Sequence, residues 1–172
     1  MAVRKIITPP DPLLKKPSLL VKEVDDSIRE LVRDMFDTMY AAPGIGLAAV
    51  QIGVPLSVIV MDTAREEEEP RPLALINPQI VWASEETRAQ EEGCLSVPDI
   101  YDEVERPAEV RVRYLDLDGK EQEKHFTGLD ATCVQHEIDH TKGILFIDHL
   151  GRLKRERYLK KVIKKARQMQ EA

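Results

Sequence analysis

Apolar side chains recur at Ile28, Leu31, Val32, Met35 and Met39, the spacing of one helix face, and predict a helix over residues 26–42. Ser27 and Glu30 stand at capping-box spacing at its start, and Pro43-Gly44 ends it. The pattern then changes. Residues 44–51 are small and apolar with a single amide, and two glycines allow backbone to approach a ligand closely. Runs rich in β-branched residues predict short strands at 56–61, 73–76 and 80–82. Val110, Val112 and Tyr114 alternate with Arg111 and Arg113, as in a half-buried strand. Asp118-Gly119 marks a hairpin turn that returns residues 120–126 antiparallel.

A second helix is predicted over 128–142, with Thr127 and Asp130 at capping-box spacing and Gly143 as its stop. A third runs over 152–169 on the stripe Leu153, Leu159, Val162, Ile163 and Ala166. Residues 1–24 are Pro-rich and aperiodic, an extended arm over the body; the acidic run 66–70 reads as a solvated loop. There is no internal repeat and no linker, so residues 1–172 are expected to form a single domain.

Composition narrows the class. At 172 residues, 42% hydrophobic and 33% charged, the chain is long enough for a full core and has a soluble profile. No apolar run nears the roughly 20 residues of a membrane span. Residues 1–16 lack the uninterrupted apolar stretch of a secretory signal. Two cysteines, Cys94 and Cys133, are too few for a disulfide framework, so a cytoplasmic protein is expected and each thiol is free to be ligand, nucleophile or core. The net charge of −6 hides an asymmetry: from position 152 onward there are nine Lys/Arg against two Glu. An acidic body thus carries a basic tail.

The chemistry concentrates in His136-Glu137-Ile138-Asp139-His140. On a helix the two imidazoles lie one turn apart on one face and can share a divalent ion, with Glu137 beside them to move protons. Leu129, Cys133, His136, Glu137 and His140 fall on that side, which is the buried one. A catalytic site of this kind needs a third protein ligand and an open position. The protease pattern with a later His fails because position 146 is Phe, and of the later glutamates Glu156 sits between arginines as a surface group. Cys94, preceded by Gly93, is the better candidate, against the ordinary fate of a free cysteine as core. Gln51 taken alone reads as a surface amide.

Three segments together, GIGLAAVQ at 44–51, EGCLS at 92–96 and QHEIDH at 135–140, resemble the three signature motifs of the peptide deformylase family in order and spacing. The resemblance spans nearly the whole chain. It implies an α+β fold of antiparallel sheets around a central helix carrying the histidines, plus a C-terminal helix. It implies that Cys94, His136 and His140 bind the metal and that Glu137 is the general acid/base. Gln51 and the backbone N–H of Leu95 would stabilise the oxyanion. Ile45, Gly46, Gly93 and Cys133 would line a pocket for a methionine side chain. The implied reaction is hydrolysis of the formyl group from N-formyl-methionine on nascent bacterial or organellar chains, releasing formate. The implied cofactor is one divalent ion, Fe²⁺ natively, with Zn²⁺, Ni²⁺ or Co²⁺ as alternatives; geometry alone suits Zn²⁺.

Further expectations concern neighbours and partners. Glu92 is expected to pair with Arg106 behind the site. Thr132 and Thr141 stand where the family often has larger apolar residues, and the Thr141 hydroxyl can reach a carbonyl one turn back. The nascent N-formyl-methionyl chain is the expected partner, with no membrane and a monomeric, cytoplasmic bacterial enzyme. The basic C-terminal helix suits docking to the RNA-rich ribosome, against the alternative of a solvated face. The competing functions are a general metallopeptidase and a non-catalytic metal-binding module.

Overall fold

The computed structural model describes residues 2–171; Met1 and Ala172, which the predicted arm and tail include, lie outside them. Among the described residues there are three α-helices: α1 (Asp26–Ala41), α2 (Gly128–Thr141) and α3 (Arg152–Glu171). Seven strands form two antiparallel sheets. β1 (Gly46–Ala48), β2 (Val58–Met61), β3 (Leu73–Ala83), β6 (Val110–Leu115) and β7 (Glu121–Phe126) line up in the order β1-β2-β3-β6-β7. β4 (Thr87–Cys94) and β5 (Val97–Pro107) form a separate ribbon. The expected α+β architecture, with antiparallel sheets around a central helix, is what is found.

β2 shows how the layers are built. Ile59 and Met61 turn to the face covered by α2, packing with Val134, Ile138 and Phe126. Val58 and Val60 turn to the other face, where Leu31, Val32, Met35 and Met39 of α1 cover them. Alternate residues therefore enter two cores, and the whole strand is apolar because neither face meets water. Burying each such side chain contributes on the order of 2 kcal/mol, so the sheet is held from both sides. A third cluster joins Val97, Ile100 and Val104 of β5 to Leu145, Phe146, Ile147 and Val162. It fixes the ribbon and α3 to the segment after α2.

Several local features differ from the sequence reading. α1 is capped by Asp25, which accepts from the Ile28 N–H at 3.1 Å and from Ser27 Oγ, so the Ser27/Glu30 capping box does not form. Thr127 makes no side-chain cap; Asp130 is taken by Thr63 instead. The two strands expected at 73–76 and 80–82 are one, interrupted at Asn77, whose φ is 52°. Asn tolerates that conformation, and its side chain exchanges two hydrogen bonds with the Val21 backbone. Those bonds pin the N-terminal arm to the sheet.

The arm also braces the later elements. Ile7 N–H donates to Gln51 O at 2.8 Å, and Ser18 N–H donates to Thr141 O at 2.8 Å. Gly143 ends α2 at φ 77°, with the Lys15 backbone so close that a Cβ would stand 2.5 Å from its carbonyl oxygen. Only glycine satisfies both conditions.

Candidate metal centre

α2 carries an unusual burden for a buried helix. His136, Glu137 and His140 are all buried, along with Cys133 and Gln135. Burying ionisable groups costs several kcal/mol apiece unless each finds a partner of opposite charge or a metal. Most find one. Glu137 Oε1 and His140 Nδ1, however, have no hydrogen-bond partner among the described residues. The sequence left this cost to be met by something further.

The structure brings Cys94 to the same place. The ligand atoms of Cys94, His136 and His140 lie within 4.8 Å of one another. Cys94 Sγ is 3.4 Å from His140 Nε2, and Glu137 Oε1 is 4.0 Å from that nitrogen. β4 ends at Cys94 in an irregular register against β5, which turns the thiol inward. One thiolate and two imidazoles suit a borderline-soft divalent ion such as Zn²⁺ or Fe²⁺. Glu137 Oε1, unpartnered and on the Nε2 side of His140, fits an aqueous ligand of such an ion. The donor set and its surroundings therefore fit the expected group.

Charge in the site follows from these neighbours. Burial pushes the Glu137 carboxyl up to about 7, against the pull of His136. Burial, reinforced by His136, holds the His140 imidazole far below its usual range and thus neutral, as a ligand must be. For His136 burial acts downward, but the carboxylates of Glu137 and Glu92 and the Cys94 sulfur outweigh it and favour its proton. A bound cation would displace that proton and take over the balancing charge.

Behind His136 stands a buried ion network. Glu92 Oε1 lies 2.9 Å from His136 Nδ1, and Arg106 grips Glu92 through Nε at 2.7 Å and Nη2 at 2.9 Å. The expected Glu92–Arg106 pair is present. Burial raises the Glu92 carboxyl, but His136 and Arg106 bring it below the usual range, so it stays ionised. Asp139 joins on the far side of Arg106 at 2.8 Å.

Gln51 is not at the surface but 1% exposed. The turn Ala49–Ile52 after β1 folds its side chain back so that Oε1 accepts from Ala48 N–H at 2.9 Å. That contact fixes the amide orientation. Its Nε2 then donates to Ser96 Oγ at 3.0 Å and faces Cys94 Sγ at 3.4 Å. Ser96, fully buried, was not singled out by sequence, although it belongs to the same short motif as Cys94.

A cavity of about 670 Å³ opens beside these groups. Ile45, Gly46, Gln51, Gly93, Cys94, Leu95, Cys133, His136 and Glu137 all border it, so each residue expected on the substrate side is gathered there. Gly46 is a close approach: a Cβ would stand 2.5 Å from Glu137 Oε2 and 2.9 Å from Cys133 Sγ. Cys133 is in the wall, its thiol donating to Ile45 O at 3.5 Å, with burial pushing its pKa well up. Leu129, expected on the buried side of α2, is 42% exposed at the cavity mouth. Thr132 lines the wall, and Thr141 Oγ donates to Ile138 O at 2.6 Å. Glu156 pairs with Arg152 at the surface.

Residues 3–156 match the family model described as polypeptide deformylase. A peptide deformylase of Phenylobacterium zucineum is 60% identical over 167 residues, covering 97% of this chain and 99% of that one. One of Hyphomonas neptunium is 59% identical over 165 residues, covering 95% and 94%. The crystal structure of peptide deformylase from Ehrlichia chaffeensis superposes with a TM-score of 0.93 at 44% identity, covering 97% and 98%. The same organism's enzyme in complex with actinonin gives 0.92 at 46% identity, covering 96% and 98%.

Proposed function

Because the chain belongs to the polypeptide deformylase family, we propose a division of labour among its residues for that family's reaction. The protein is a hydrolase that removes the formyl group from the N-terminal formyl-methionine of newly made chains. In this reading Cys94, His136 and His140 hold the catalytic ion. The observation that carries it is the convergence of those three donors beside the unpartnered Glu137 oxygen. A divalent ion there would act as a Lewis acid and would make water a nucleophile near neutral pH.

The chain's own groups do the rest. Glu137, with a pKa raised to about 7, accepts a proton from the attacking water and later passes it to the departing amine nitrogen. Water adds to the formyl carbon, the C–N bond breaks, and formate and a free amino terminus result. Gln51 Nε2, oriented by Ala48 and Ser96, donates to the oxyanion that develops, together with the Leu95 backbone N–H. Ile45, Gly46, Gly93 and Cys133 shape the cavity that takes the methionine side chain.

Fe²⁺ is the native ion in this reading, with Zn²⁺, Ni²⁺ or Co²⁺ as substitutes. The chain acts as a monomeric single domain over residues 1–172 in the bacterial cytoplasm, and α3 docks on the ribosome through its basic face. The complete set of candidate groups within one chain supports the first point. For the last, Arg157, Lys160, Lys161, Lys164 and Arg167 are exposed along α3. No helix among the described residues is long and apolar enough to cross a membrane.

The test is formate release from formyl-Met-Ala by protein loaded anaerobically with Fe²⁺, beside Glu137→Ala and beside unformylated Met-Ala. Release by wild type alone, with the plain dipeptide intact, supports the assignment. Cleavage of Met-Ala would favour a general peptidase, and full activity of Glu137→Ala would remove that residue from proton transfer.

A further inference from the structure

The ion network behind His136 does not end at Arg106. One oxygen of Asp139, Oδ2, accepts from Arg106 Nη1 at 2.8 Å and lies 2.8 Å from His149 Nε2. That oxygen faces the Arg106 guanidinium in an ion pair, so it is an acceptor. His149 Nε2 must therefore be the donor. A neutral imidazole can donate there as well as a protonated one, so the contact does not depend on the charge of His149.

We propose that His149 is a positioning residue for the metal ligand His136, acting through Asp139, Arg106 and Glu92. The route is continuous: His149 to Asp139, Asp139 to Arg106, Arg106 to Glu92, and Glu92 to Nδ1 of His136. A half-exposed His–Asp pair on its own contributes little. Two features set this one apart. Asp139 is largely buried, its side chain 16% exposed, and its charge helps hold Arg106 in place. His149 is itself held, because it closes the turn Phe146–His149, whose first residue is buried and stacked on the His136 ring at 5.9 Å between centroids. The two ends of the turn thus both grip α2, one by a ring on His136 and the other by an N–H on Asp139.

The chemical consequence is tautomer and tilt. Glu92 accepts the hydrogen bond from Nδ1–H, leaving Nε2 of His136 as the ligating nitrogen. If Asp139 loses one donor, Arg106 gains freedom to swing toward it, and Glu92 loses part of the two-point grip that aims it at His136. Partners one contact out from a ligand typically tune metal affinity by about 10–100-fold, so a residue further out should act by about three- to tenfold.

This inference rests on the metal reading above, and the experiment separates the two. Co²⁺ affinity is measured by competition with a chromophoric chelator, with the thiolate-to-cobalt absorption of Cys94 as a second readout. Wild type is compared with His149→Leu and His149→Gln, whose amide can replace the Nε2 donor. His149→Leu should weaken Co²⁺ binding and lower kcat by about three- to tenfold, with KM for formyl-Met-Ala little changed. His149→Gln should restore both to near wild type. Wild-type affinity in His149→Leu, with the cobalt band intact, would overturn the role of His149 alone. Equal weakening in both variants would overturn it too, by making the ring's packing the cause. Absence of the thiolate band in wild type would overturn the metal reading itself, and His149 with it.

Discussion

Glu92 and His136 are joined by a 2.9 Å contact between a carboxylate oxygen and Nδ1, and both side chains are almost fully buried. The contact decides which ring nitrogen is free to bind an ion. It also places a negative charge inside the protein, which Arg106 and the imidazole balance. Fold stability and ligand geometry thus depend on the same three residues.

Arg106→Ala should therefore damage both. It leaves Glu92 ionised and buried with a single partner, a defect that typically costs about 3–5 kcal/mol. Denaturant unfolding of the metal-loaded protein checks this. Metal affinity, followed by competition with a chelator, should fall by about tenfold or more. Wild-type values for both would show that the network is a bystander.

Gln51→Ala should lower kcat by about 10²- to 10³-fold, the usual cost of losing one oxyanion donor, with a much smaller change in KM. The amide is preoriented by Ala48 and Ser96, so the loss falls on the transition state and not on substrate binding. Ser96→Ala should show a weaker effect in the same direction, because Oε1 remains held by Ala48. Steady-state kinetics with formyl-Met-Ala separates the two parameters. A normal kcat in Gln51→Ala would take the amide out of the reaction.

α1 could be read from the sequence because it buries one stripe of regular spacing, whereas α2 is buried on most sides and Leu153 of the stripe expected on α3 is 83% exposed. β2 could be read because it is apolar throughout. The β4–β5 ribbon could not, and no strand was expected there. Thr87, Arg88, Ala89 and Glu91 are exposed and Glu103 and Glu105 lie opposite, so no alternation of apolar and polar positions announces the strands. Yet this ribbon delivers Cys94, Glu92 and Arg106 to the site. The cluster of His136, Glu137 and His140 was legible because spacing on one helix face is a local property, whereas Cys94 reaches it from a different element. Ser96, Asp139 and Phe146 were not, since their roles depend on contacts between distant segments.

Glu137 gives the metal-free protein a pH dependence of definite sign. Its folded pKa of about 7 exceeds the ordinary value of 4.5, so between these values the folded state binds the extra proton. The associated stability is fully present below about 4.5 and is lost as pH rises through about 7, by roughly 3 kcal/mol. Glu137→Gln carries no such charge. Unfolding of metal-free wild type and Glu137→Gln at pH 4.5 and pH 8 should therefore show the variant gaining on wild type at the higher pH. Parallel pH profiles would refute the buried-carboxyl account.

Gly46 and Gly93 both border the cavity, but a methyl group should be tolerated at only one of them. At Gly46 the new Cβ meets Glu137 Oε2 and Cys133 Sγ, both on buried side chains of α2. Glu137 must shift, and displacement of a reacting group by about 1 Å can cost on the order of 10²-fold in rate. At Gly93 the Cβ meets the Tyr101 ring, which is 64% exposed and free to swing away. Gly46→Ala should lose most of its kcat while Gly93→Ala keeps it, with any change confined to KM. Equal losses would show that the Gly93 backbone, and not the Tyr101 ring, sets the limit.

Ribosome docking through α3 is best tested by charge reversal. Deleting the end of the chain from position 160 would remove Val162, which is buried against Val97, Ile100 and Val104 of β5, the strand that follows Cys94. A loss of binding after such a deletion could then reflect a disturbed β5. Lys160→Glu, Lys161→Glu and Lys164→Glu together avoid this, because Val162 and the Lys165–Asp99 ion pair stay in place. Each phosphate contact contributes about 0.7–0.9 to the slope of log affinity against log salt. If these three lysines touch RNA, the triple variant should bind ribosomes more weakly in co-sedimentation and with a slope shallower by about 2–3. Its turnover of formyl-Met-Ala should be unchanged, since none of the three borders the cavity. An unaltered slope would mean that the basic face is solvated and that the balance of an acidic body is its whole purpose.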